Sequence, residues 1–166
     1  LLQPVSVELD GKYPIFIPSS TFNTVFLAFH AAQHYARGLA LHHLCDWACL
    51  LNRYGLHIPE EVTDIRFRNM MLAMTHLCND YLGTSVPVYG GEGLAEVILW
   101  EIIRPPYTKF VPAKNKWSIL VYKTKRMLHT HRVCNSVLRI SLCKWVGNSI
   151  LLHLRSPHTI FQTERK

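Results

Sequence analysis

Residues 5–17, VSVELDGKYPIFI, alternate apolar and polar side chains with the two-residue period of a strand. Asp10-Gly11 interrupts the alternation with a pair that tolerates positive φ, so the stretch predicts a β-hairpin. Pro14 has no N–H to give to a ladder and belongs on an edge strand. An isolated two-stranded hairpin is marginal in water. It must therefore pack on the rest of the chain or continue a sheet that lies upstream of residue 1.

The period then changes to 3.6. Ser19-Ser20-Thr21 offers N-caps for a helix over 22–36, with Phe22, Val25, Phe26, Phe29 and Ala32 as its buried face and Gly38 at its end. A second helix over 41–54 is expected to bury Leu41, Leu44, Cys45, Ala48 and Leu51, with Gly55 as its C-cap. The join is short enough to lay the two side by side. Pro59-Glu60-Glu61 suggests the acidic first turn of a short helix, and a longer helix follows over 65–82 up to Gly83. TSVPVYGGEG reads as loop. A very apolar helix over 94–103 stops at Pro105-Pro106, a basic helix covers 116–131, a last helical stretch covers 137–154, and the tail from 157 is loose.

The fold class is thus mainly α: a bundle of about six helices preceded by a short N-terminal β-hairpin. One domain is expected over 1–166, divided into the hairpin (1–18), a helical core (19–113), basic C-terminal helices (114–156) and the tail (157–166). Composition agrees, since 49% hydrophobic and 17% charged residues exclude disorder and supply a core. Every apolar run is interrupted before it could span a membrane. The first residues lack the basic region and cleavage site of a secretory signal, which points to the cytoplasm. They also lack an initiator Met, so the chain is read as the downstream part of a longer protein. Five cysteines, mostly in apolar helical contexts, are expected to be free and largely buried thiols.

Charge is unevenly placed. Through Thr108 six Lys/Arg stand against ten Asp/Glu, whereas from Lys109 onward twelve face only Glu164. The segment 114–139 places Lys116, Lys123 and Arg126 near one helical face, interleaved with Trp117 and Tyr122. Such a face is a candidate for phosphate, a neighbouring domain or nucleic acid, or is simply solvated.

Four groups of residues carry candidate chemistry. His30 and His34 stand four apart on one helix, half of a zinc site of the HExxH kind, but the intervening glutamate is absent. They read first as hydrogen-bonded helical histidines, next as substrate-facing, and last as metal ligands. Asp46 lies in an otherwise apolar helix, and burial of its carboxylate would demand a partner: His42 or His43 one turn back, or His30 or His34 across the helical hairpin. Glu8 and Asp10 could present two carboxylates to Mg²⁺, although the Asp-Gly turn already accounts for Asp10. Cys45 and Cys49 could join a zinc site but read as core thiols. No Walker loop, GxGxxG, CxxC or GxSxG is present.

Ile17-Pro18-Ser19, His30, His34, Gly38, Leu41, Leu44 and Asp46-Trp47 together resemble the signature of the uncharacterised nucleotidyltransferase family common in gut Bacteroides-type bacteria, of the polymerase-beta-like superfamily. The resemblance covers about a quarter of the chain. That family usually carries Arg-Gln where His42-His43 stand, and Ile-Gly in place of Leu39-Ala40. It implies that this chain corresponds to the C-terminal helical part of such an enzyme, without catalytic residues of its own and inactive in isolation. The Gly-Ser loop, the Asp-x-Asp pair, Mg²⁺ and the nucleoside triphosphate would belong to an upstream domain of the same polypeptide. His30, His34, His42 and Asp46 would lie near the substrate or the domain junction, and Lys116, Lys123 and Arg126 near phosphate. The alternative is a stand-alone helical binding module whose basic C-terminal surface takes nucleic acid or an acidic protein. A histidine-rich metal protein ranks third.

Overall fold

The computed structural model describes residues 3–11, 13–104, 106–107, 115–139 and 141–155. Strands β1 (Val5–Leu9) and β2 (Tyr13–Ile17) pair antiparallel, with Val5 opposite Ile17 and Leu9 opposite Tyr13. Asp10 and Gly11 take positive φ, 53° and 66°, as the turn chemistry requires. Every residue of β2 is exposed, and neither strand makes an extensive contact with a helix.

Six helices follow: α1 (Ser20–Gly38), α2 (Leu41–Tyr54), α3 (Ile65–Leu82), α4 (Glu92–Ile103), α5 (Lys116–Val137) and α6 (Leu142–Arg155). The mainly α class with an N-terminal hairpin holds. No helix among the described residues is long and apolar enough to cross a membrane. The caps follow the sequence. Ser19 Oγ accepts from the Phe22 N–H, and Asp64 from the N–H groups of Arg66 and Phe67, while Gly83 closes α3 in the left-handed region.

Helices α1 and α4 each begin two residues earlier than expected, and larger differences lie elsewhere. Pro59-Glu60-Glu61 forms a turn in which the Val62 N–H reaches the Pro59 carbonyl, because too few residues separate it from the Asp64 cap to build a helix. The basic helix also runs past 131 to Val137, and the last helix begins at Leu142. Val133, Cys134 and Val137 are buried, so tertiary contact carries α5 onward through a stretch whose own pattern is ambiguous. The tail beyond 155, and most of the loop before α5, lie outside the described residues.

Helix α3 is the centre, packed against α1, α2, α4 and α5. It buries Phe67, Met70, Met71, Met74, Leu77 and Cys78, against which α2 sets Trp47, Leu50 and Leu51. Polar atoms in this interface are matched. Trp47 Nε1 donates to Thr75 Oγ1 at 3.0 Å, Thr75 donates onward to the Met71 carbonyl at 2.9 Å, and the Cys78 thiol donates to the Leu44 carbonyl at 3.3 Å.

Helix α1 meets the bundle with its small residues. Ala28, Ala31, Ala32 and Tyr35 are buried, while Phe26 and Phe29 are exposed. Of the five residues expected to be buried, only Ala32 is fully so, and Phe22 and Val25 are half-covered. Alanines allow close approach between helices, and that preference outweighs the area the phenylalanines would bury in these contacts.

Candidate functional site

The outward face of α1 is a ladder at four-residue steps. Phe22 stacks on Phe26 (ring centroids 5.9 Å apart), Phe26 on His30 (6.0 Å), and His30 meets His34 edge-on at 4.6 Å. Gly38, at φ 109°, ends the helix, and Leu39-Ala40 turns the chain into α2. The first turn of α2 then places the His43 ring 5.3 Å from His30 and 4.9 Å from His34. One ring nitrogen from each of the three lies within 4.8 Å of the others. The exposed His42 ring lies 3.9 Å from that of His43, tilted by 32°.

His43 is the unusual member, only 5% exposed. Its Nδ1 lies 3.2 Å from both the Ala40 N–H and the Ala40 carbonyl, and can serve one of them at a time. Its Nε2 is fully buried without a hydrogen-bond partner, alone in that respect among the described residues. Leaving such a group unmatched costs about 1–3 kcal/mol. Burial pushes the His43 pKa below the ordinary histidine value. The bond to Ala40 opposes this, and His42, His34 and His30 add repulsion that supports it.

His30 and His34 are thus brought together as expected, but with His43 and not with Asp46. Asp46 is exposed and makes no hydrogen bond or ion pair among the described residues. The buried arc of α2 is His43, Leu44, Trp47, Ala48, Leu50 and Leu51. At 100° per residue this leaves Leu41, His42, Cys45, Asp46 and Cys49 on the opposite arc. Apolar neighbours in sequence therefore do not bury Asp46. Cys45 and Cys49 are exposed for the same reason, as is Cys143, whereas Cys78 and Cys134 are buried. The expectation of mostly buried thiols is corrected accordingly. His43 was visible only as a possible partner for Asp46, and no local pattern marks it as buried.

On α5, Lys116 is exposed, whereas Lys123 and Arg126 are half-buried, and each of the three is engaged within the chain. Glu8 is exposed on β1 and Asp10 serves the turn. A groove of about 210 Å³ between α3 and α4 is lined by His76, Asp80, Glu92 and Glu96, with His76 Nε2 3.5 Å from Glu92. Farther along, His129 Nε2 of α5 lies 3.3 Å from Glu101 of α4, a half-buried pair that sequence reasoning missed.

No protein-family model matches the chain, and neither does any curated protein or solved structure. Among the described residues, the one group of three potential ligands within metal reach is the imidazole set. Imidazoles do not suit Mg²⁺, which takes oxygen ligands. The donors of this set therefore do not fit a Mg²⁺–nucleotide site.

Proposed function

We propose that this chain is the helical accessory part of a nucleotidyltransferase-type enzyme, covering the acceptor side of a catalytic domain that carries the Gly-Ser and Asp-x-Asp elements. The carrying observation is a set of large apolar side chains left exposed on the hairpin and on α1. Val5, Tyr13, Phe16 (71% exposed), Ile17 and Phe26 (51%) face solvent, with Phe16 on the opposite face of the hairpin from the other three strand residues. A hairpin of this kind gains little stability alone, and large exposed apolar patches mark interaction surfaces. The unpaired edges of β1 and β2 would extend the catalytic domain's sheet, and the histidine end of α1–α2 would lie beside the junction. The Ile-Pro-Ser, His-x-x-x-His and Asp-Trp segments support the same assignment. The test is to read the coding sequence upstream of Leu1, express it with the chain, and assay nucleotide transfer. The chain alone should be inactive and the combined protein active. Upstream sequence without the two catalytic elements would sink the proposal.

A second proposal, a stand-alone module that binds nucleic acid or an acidic protein through its basic C-terminal surface, is favoured by one feature of α5. Trp117 is 73% exposed on a helix that also exposes Lys125 and Arg132. Phosphate contacts would make oligonucleotide binding fall steeply with salt. A titration at two salt concentrations that finds no binding at the lower one removes the nucleic-acid version.

A further inference from the structure

The three-histidine cluster contains the one buried side-chain polar atom among the described residues that lacks a partner. We propose that His30, His34 and His43 form a binding site for a divalent transition-metal ion of the Zn²⁺ class, with a fourth position open to water or an exchangeable anion.

Four features of the cluster support this. The i, i+4 spacing on α1 stacks two imidazoles one turn apart on a single face, and the short turn after Gly38 brings a third from α2 against both. One ring nitrogen of each histidine lies within 4.8 Å of the others, and tetrahedral Zn–N bonds of about 2.0–2.1 Å would require each pair to close to roughly 3.4 Å. The half-buried His30 and His34 rings would turn about their side-chain bonds to close the difference.

The third feature is the orientation of His43. With Nδ1–H donating to the Ala40 carbonyl, Nε2 presents its lone pair, the arrangement in which a backbone acceptor sets the tautomer of a metal-bound histidine. Finally, an ion would satisfy the unmatched Nε2. Imidazole donors select Zn²⁺, Co²⁺, Ni²⁺ or Cu²⁺ over Mg²⁺ or Ca²⁺. The other soft donors close in sequence are the exposed thiols of Cys45 and Cys49, which the experiment must separate from the histidines.

The test uses the full chain, purified without a histidine tag and stripped with a chelator. Co²⁺ is titrated in while the visible spectrum is followed, and Zn²⁺ is then added in competition. The expected result is one equivalent of Co²⁺ with the absorption bands of tetrahedral coordination, displaced by one equivalent of Zn²⁺. His34→Gln and His43→Gln should each weaken binding at least tenfold, and the double variant should abolish it. The Cys45→Ser/Cys49→Ser variant should keep both affinity and spectrum. Circular dichroism of each metal-free variant checks folding. If His43→Gln does not fold, His30→Gln, at a half-exposed position, carries the same expectation. Absence of stoichiometric binding, survival of binding in His30→Gln and His34→Gln, or its loss with the two cysteines would overturn the proposal. The readout needs no catalytic domain, so it stands or falls separately from the accessory role.

Discussion

The α2–α3 interface and the outer face of α1 contain similar residue types in opposite conditions. In the first, Trp47 is buried with its indole N–H bonded to Thr75, and the Cys78 thiol is matched to a carbonyl. In the second, Phe26 faces solvent, and where α2 meets this face its His43 keeps a buried nitrogen unmatched. The first region carries stability. The second holds surface and hydrogen-bonding capacity in reserve, the condition expected of a region completed by something that binds it.

Substitutions should separate the two. Trp47→Ala removes the largest side chain of the filled interface and orphans the Thr75 acceptor contact. It should cost about 3–5 kcal/mol, read as a lowered denaturant midpoint. Gly91→Ala comes next. At φ 93°, a Cβ there would stand 2.8 Å from the Ala73 nitrogen and from Leu72 Cβ, so α4 could not enter as closely against α3. A loss of about 1–3 kcal/mol by thermal melting is expected.

Acid should act on the histidine region. The folded pKa of His43 lies below its unfolded value of about 6.5. As pH falls through that value, the unfolded chain takes up a proton that the folded chain resists. The stability contributed by neutral His43 is present above about pH 6.5, declines below it, and levels off once the folded pKa is passed. Denaturation with chelator present, at several pH values, should show this slope, and His43→Gln should flatten it. The smallest effect belongs to Phe26→Ser, which should change folding stability by no more than about 0.5 kcal/mol while reducing association with whatever covers α1. A Phe26→Ser loss as large as that of Trp47→Ala would erase the contrast between the two regions.

Much of the local structure was legible because it depends on near neighbours. The Asp10-Gly11 turn, the Ser19 and Asp64 caps, the stops at Gly55 and Gly83, and the full extent of Ile65–Leu82 follow from residues within one turn of each boundary. The extension of α5 to Val137 was not legible, because burial of Val133 and Val137 sustains it.

The chain's own order of residues determined its helical class, its hairpin, and the placing of His30 beside His34, since spacing along a helix sets which side chains share a face. Only the assembled bundle decided which face turns inward. Close contact selected the alanines of α1 over its phenylalanines, and the arc of α2 around Trp47 took His43 into the interior while leaving Asp46 in water. Burial depends on neighbours brought from elsewhere in the chain, and a local pattern cannot contain them.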